Sequence, residues 1–290
     1  MSDIAISVVI AVGGDKAGLD DCLAALEHQV DKETEVIIVS TVDAPDGVAE
    51  KFPWAQWIKK APACLIPALW GEGMSRATGK IVAITTAHFA MEPGWITTCK
   101  SAHNRLASPA IGGKINPPLA GSLVEWATYF LRYNRFLKFE RESDVTDLPG
   151  ENVSYKRSAL ETCRETLRDG FWEMDFHRQL LADGKQITFV KGMAVTQRAS
   201  FGFLPFIRQR FRHGLRFGQD RLAGRGLLVR AVFAIGAPLI PVVFYGKIVL
   251  RVFKSGDNIG QFLLVTPVIF MFLLAWATGE ALGYITLRAD

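Results

Sequence analysis

The sequence predicts an α/β fold, a central sheet with flanking helices, followed by a basic amphipathic segment and two apolar C-terminal helices. Three observations predict it. Short β-branched runs alternate with helix-period segments over the first 200 residues. Eight arginines and one acid fall between Arg198 and Arg230, a local charge of +7 in a chain of net +4, leaving −3 elsewhere. Two uncharged runs then follow, Ala231–Gly246 and Phe262–Gly279.

The elements read in order. Residues 4–12 (IAISVVIAV) form a first buried strand, broken at Gly13-Gly14-Asp15. Leu19, Cys22, Leu23 and Leu26 recur at helical spacing, up to about Gln29. Residues 35–41 (EVIIVST) give a second strand, ended by Asp43-Ala-Pro-Asp-Gly47. A weaker strand lies near Trp57-Ile58, and a helix holding Leu69 and Met74 leads to Gly79. Ile81–Thr85 is a further buried strand. Strands alternating with helices pair in parallel, and such sheets bind ligands at the carboxyl ends of their strands. The informative positions are therefore those just after Val12, Val39 and Ile84. Residues 139–151 (FERESDVTDLPGE) read as a charged loop. Trp126, Tyr129, Phe130 and Tyr133 have helical spacing and read as core rather than as a sugar-stacking platform.

The two apolar runs approach, with their flanks, the roughly 20 residues that span a hydrocarbon core. Pro238 and Pro241 predict a kinked or re-entrant first run. The arginine segment interleaves with Phe203, Phe206, Phe211 and Phe217, a pattern suited to anionic headgroups. Positive charge beside the first run places that flank, and the domain before it, on the cytoplasmic side of the inner (plasma) membrane. The expected organisation is a domain at 1–200, a basic interface segment at 201–227 and a membrane hairpin at 228–290. The N-terminus has no basic region and reads as a strand, not a signal peptide.

Composition excludes several classes. With 49% hydrophobic and 21% charged residues the chain is not disordered. A net charge of +4 with no RNA-binding motif gives no case for a nucleic-acid partner. Cys22, Cys64, Cys99 and Cys163 have no paired spacing, so neither a zinc knuckle nor a disulfide scaffold is indicated. Two candidate spans are too few for a transporter. No P-loop, G-x-S-x-G or GxGxxG is present, and Gly71-Glu-Gly73 lacks a third glycine.

Several segments together resemble the family 2 glycosyltransferases of the GT-A fold, inverting enzymes with nucleotide-sugar donors. ISVVIAV…LDDCLAAL resembles the opening strand, loop and helix, and EVIIVS the second strand. ATGKIVAITTAHFAMEPGWI resembles the segment ending in the metal-binding D-x-D and its following P-G-W. LPGENVSYKRSAL and GFWEMDFHRQLLADGKQITFV resemble the segments before the acceptor helix and around the catalytic base. QRFRH at 209–213 resembles the Q-x-x-R-W motif of membrane-associated members, with His213 in place of Trp.

The resemblance implies a mixed GT-A sheet and a donor site built from Asp43, Thr86, His88, Asn152, Gln209, Arg210 and Arg212. It also implies a divalent cation, Mn²⁺ or Mg²⁺. Thr86-Ala87-His88 stands where the carboxylate pair would be, so His88 is the one metal ligand there. Imidazole suits Mn²⁺ or Zn²⁺ and is a poor ligand for Mg²⁺. Alternatively His88 hydrogen-bonds a phosphate or caps a loop. Without a metal, arginines must receive the diphosphate through charge-assisted bonds. Arg210 and Arg212 are placed for this, with Arg76 and Lys114 behind them; the alternative is that they face lipid headgroups. Asn152 would contact donor or acceptor hydroxyls, or stabilise its turn.

One base suffices for an inverting transfer. Aligned on Gly184, Glu173 takes the base position and Trp172 the family's Glu; Asp175 is the second acid. Both also suit a helix N-terminus. His177, four residues on, shares a face with Glu173, as an orienting partner or as a surface pair. The expected partners are a nucleotide-sugar, a lipid-linked or cell-envelope polysaccharide acceptor, and membrane lipids. The rival expectation is a catalytically inactive, glycosyltransferase-like membrane scaffold, favoured by the missing acids.

Overall fold

A computed structural model describes residues 4–14, 16–62, 64–118, 121–163, 170–199 and 202–286. Asp15 and the Cys163 side chain lie outside the described residues. The chain opens with β1 (Ile6–Val12), α1 (Leu19–Glu27), β2 (Thr34–Ser40), a single-turn α2 (Val48–Lys51), β3 (Ala55–Lys59), α3 (Ile66–Arg76) and β4 (Ile81–Thr86). Then come β5 (Phe89–Met91), α4 (Trp95–Arg105), β6 (Ala110–Gly112), β7 (Ile115–Asn116), α5 (Leu123–Tyr133), β8 (Ser143–Val145), β9 (Val153–Lys156) and α6 (Arg157–Leu160). It continues through α7 (Glu173–Ala182), β10 (Ile187–Phe189), β11 (Val195–Gln197), α8 (Phe203–Arg221), α9 (Leu227–Gly236), α10 (Ile240–Ser255) and α11 (Ile259–Ile285).

These elements form two compact units. One holds residues 1–119 and 139–199, the other 120–138 and 200–290. α5 thus groups with the C-terminal helices, although it precedes residue 200.

The first unit is built on a mixed sheet of order β3-β2-β1-β4-β9-β6-β10-β8. β1 runs parallel to β2 and β4, and β2 parallel to β3. β9 is antiparallel to both β4 and β6. Every residue of β1 and β4 is buried, as expected of continuous apolar strands covered on both faces. A smaller sheet has the order β5-β11-β7. The loop expected over 139–151 contains β8, which closes the sheet edge against β10. Its sequence, SDV, carries too little apolar pattern to announce a strand. Cys22 and Cys99 are fully buried, which pushes each thiol up to about 12 and leaves them as packing groups.

The second unit is helical. α9, a 3₁₀ turn at Ala237–Leu239 and α10 run back along α11. Pro238 falls in that turn and Pro241 at the start of α10, where the first apolar run passes through 3₁₀ geometry. Leu227–Ser255 and Ile259–Ile285 are each long and apolar enough to cross a membrane. α5 lays Phe130 against Phe262, at 5.3 Å between ring centroids, so its aromatic stripe is core.

α8 and α11 run parallel, Phe206 meeting Phe272 and Phe211 meeting Gly279. Two glycines on each helix let the backbones touch. A Cβ on Gly214 would come within 2.2 Å of the Trp276 carbonyl oxygen, and one on Gly283 within 2.2 Å of Leu215 O. The +7 segment is therefore a packed helix and not only a headgroup contact.

Candidate active site

The carboxyl edge of the sheet collects the informative residues of the first unit. Register aligns Ala11 of β1 with Thr86 of β4, and Val12 with Ser40 of β2. Because β9 runs against β4, its leading residues Glu151 and Asn152 return to this same edge. Two bonds lock them there: Thr85 Oγ1 donates to Glu151 O (2.8 Å), and Trp70 Nε1 donates to Thr85 O (2.7 Å). Gly18 (φ +77°) brings the start of α1 onto this edge; a Cβ there would lie 2.8 Å from Ala87 O.

Glu173 opens α7, and its carboxyl group rests against Gly150. A Cβ on Gly150 would come within 2.9 Å of Glu173 Cδ and of the Trp70 ring. The half-buried carboxyl group thus lies at the edge that also carries Thr86. Asp175 does not share this position. It is exposed and pairs with Arg178 at 2.8 Å. Helical geometry explains the difference, since residues two apart point in nearly opposite directions.

His177 is neither a surface residue nor seen paired with Glu173. It is buried, with Nδ1 2.9 Å from Asp147 Oδ1 and Nε2 2.9 Å from the Tyr155 hydroxyl. The imidazole thus bridges the Asp147 carboxyl group and the Tyr155 hydroxyl. This chain ties α7 to β9 and to the segment just before Gly150, holding both sides of the Glu173 contact.

Thr86 is buried, and its Oγ1 has no hydrogen-bond partner among the described residues. His88 is buried two residues on, its carbonyl accepting from Arg198 N at 2.8 Å. Asn152 is used internally. It is fully buried, accepts from Trp95 Nε1 (2.9 Å), and donates to Lys114 O (3.0 Å) and Met193 O (2.7 Å). Trp95, read as packing, is the other end of that bond. Asp43 follows β2, is largely exposed and pairs with Lys59, which holds its carboxyl below the usual range.

In the second unit, Arg210 stacks its guanidinium over Phe206 (5.3 Å) and Trp276 (5.0 Å). Burial, with Arg132 nearby, lowers it to about 10. Its Nη2 lies 3.2 Å from His213 Nδ1, and its Nε has no partner among the described residues. Gln209 is half-buried and Arg212 is exposed on the same helix.

Sequence reasoning gave no site role to Trp70 or Gly150, and read Arg198 only as the first arginine of the basic segment. Gly150 was visible only as a turn residue, and Trp70 carried no signal. Arg198 lines a cavity of about 540 Å³ that runs along α1 beside Glu92.

Comparison with known proteins gives a fold. No family model matches the chain, and no curated protein does. Among solved structures, one similar chain is the mannosyltransferase PcManGT from Pyrobaculum calidifontis, in complex with GDP-Man and Mn²⁺. It shares 15% identity, a TM-score of 0.52, and coverage of 95% of this chain and 86% of that one. Another is GalNAc-T7 with UDP, GalNAc and Mn²⁺, at 11% identity and TM-score 0.51. There 67% of this chain matches, spanning less than half (44%) of the other. The fold is GT-A-like.

The sequence resemblance puts a divalent cation at Thr86-Ala87-His88. The donor set here does not fit a hard divalent cation, which wants anionic oxygen. Thr86 offers a neutral hydroxyl and His88 an imidazole. Among the described residues no group of three His, Cys, Asp or Glu converges anywhere.

Proposed function

We propose that the protein is an inverting glycosyltransferase, moving one sugar from a nucleotide-sugar to a lipid-linked or cell-envelope polysaccharide acceptor. The observation that carries this reading is the Glu173 carboxyl group held against Gly150 at the carboxyl edge of a GT-A-like sheet. In that role Glu173 takes the proton from the acceptor hydroxyl as the hydroxyl oxygen attacks the anomeric carbon. The nucleoside diphosphate leaves from the opposite face. Asp43 serves the nucleotide end of the donor. The unpartnered Thr86 hydroxyl and His88 meet its phosphates, and no step passes through a metal. For Arg210, Arg212 and Gln209 of the second unit, a diphosphate-binding role rests on the sequence resemblance alone. Asp175 keeps only a helix-terminal role.

The apolar helices attach the protein to the inner membrane with the sheet unit on the cytoplasmic side, where nucleotide-sugars are met. Two such helices suit single transfers to an acceptor in the membrane rather than threading of a polymer.

A second reading, an inactive scaffold, is favoured by the acid-poor Thr86-Ala87-His88 segment. A thermal-shift panel of nucleotide-sugars on folded protein, with and without Mn²⁺, separates the two. Stabilisation by at least one donor is expected for the enzyme. Silence across the panel supports the scaffold and overturns the transferase reading.

A further inference from the structure

The second unit has two unlike sides. The outer stripe of α11 carries Leu263, Leu264, Pro267, Met271, Leu274, Thr278, Leu282 and Ile285, all exposed and none charged, along its whole length. α9 and α10 continue this surface with Leu227, Leu228, Val232, Ile235, Leu239 and Val242. α8 packs on the other side of α11 through Gly279 and Gly283. It points Arg208, Arg212 and Arg216 outward, away from that contact. Arg251 of α10 donates to Asn134 just beyond α5, at 2.6 Å, so the cationic edge of α10 faces the α5 side.

The placement of these cations along the hairpin decides its orientation. Tyr245 meets Phe262, Thr266 and Phe270, and Lys247, two residues nearer the turn into α11, is therefore level with about Leu264, near the start of α11. The contacts of Phe206 with Phe272 and of Phe211 with Gly279 put Arg208 level with about Ala275. Between these two levels lie at most about 12 residues, roughly 18 Å of helix. A hydrocarbon core is about 30 Å thick. Arg251 and Lys254 continue on one side of the gap, and Arg212 and Arg216 on the other. No placement of a membrane slab across the hairpin avoids burying several of them.

We propose that α9–α11 do not cross the bilayer but lie flat in one leaflet. The uncharged stripe faces the acyl chains, and Arg208 and Arg216 of α8 with the cationic edge of α10 face anionic headgroups. The occupant of this apolar face is lipid, chosen over a second copy of the chain because cations border the face on the α8 and α10 side. This goes beyond the proposed transfer reaction and does not depend on it.

The test uses the full chain in mixed phosphatidylcholine and phosphatidylglycerol vesicles, with accessible native thiols replaced. Single nitroxides are placed at Leu263→Cys, Leu274→Cys and Ile285→Cys, all exposed positions, and their depth is read by oxygen against a water-soluble relaxant. One common depth for all three is expected. A deep label at 274 with shallow labels at 263 and 285 overturns the proposal. Labels shielded from oxygen also overturn it, since protein then covers the face. In parallel, Asp257→Cys at the hairpin tip and Ala223→Cys before α9 should both react with an impermeant maleimide from the same side. Reaction of Asp257→Cys only from the opposite side overturns it. Neither measurement needs a donor, so failure of the transferase reading is seen separately.

Discussion

Replacing the Glu173 carboxyl with an amide of the same shape isolates its chemistry. Glu173→Gln should abolish turnover while donor affinity, measured by calorimetry, stays within about tenfold, because a base acts on the acceptor. Retained activity would move the base elsewhere. Gly150→Ala should act on the same group through space. The added methyl meets the Glu173 carboxyl group and the Trp70 ring, so kcat should fall well before donor affinity does. Arg212→Ala should weaken donor binding by roughly 1.5–3 kcal/mol if its guanidinium holds phosphate, and leave it unchanged if it faces only lipid. His103 reports on stability. It is buried, 2.9 Å from Ser154 Oγ, and desolvation lowers it to about 4 from 6.5. Its folded-state value lies below the unfolded one, so the unfolded chain binds the extra proton between these values. The stability contributed by neutral His103 is complete above about pH 6.5 and is lost as pH falls towards 4. His103→Gln should flatten that part of a Tm-against-pH curve.

Helix–helix contact in the second unit rests on absent side chains. Gly214→Val places its Cβ 2.2 Å from the Trp276 carbonyl oxygen, and backbone does not yield as a side chain would. A loss of about 1–3 kcal/mol is expected, read as a lower unfolding midpoint. Gly226→Val, with nothing within 4 Å, is the control. Such contacts mark the limit of what the chain spells out. β1, β2 and β4 were legible because fully buried parallel strands are written as continuous β-branched runs. β8 was not, because an edge strand of three polar-leaning residues carries no period. The same divide runs through the site. Glu173 and Thr86 were singled out from their segments. The Gly150–Trp70 setting of Glu173 was not, since it arises from an antiparallel return of β9 that no local spacing encodes. His177 shows the converse: four residues from Glu173, it reads as that residue's neighbour, yet tertiary packing gives it to Asp147 and Tyr155.

Across the molecule, the separation of α5 from its unit in sequence has measurable effects. A chain ended after Ala199 would keep the sheet but leave the α5 aromatics without the Phe262 contact. It should self-associate, visible by size-exclusion chromatography, and Trp126→Gln with Phe130→Gln should relieve this. Persistence of a monodisperse truncated chain would show α5 to be covered some other way. The divided unit also sets a schedule for biosynthesis. Tyr133 leaves the ribosome about 125 residues before Ile259. At roughly 5–20 residues per second, the α5 aromatics wait about 6–25 s for their partner helix. Through that interval the nascent chain carries a sticky, half-finished helix in its middle, and trigger-type holdases or early membrane targeting become the natural guardians of its yield.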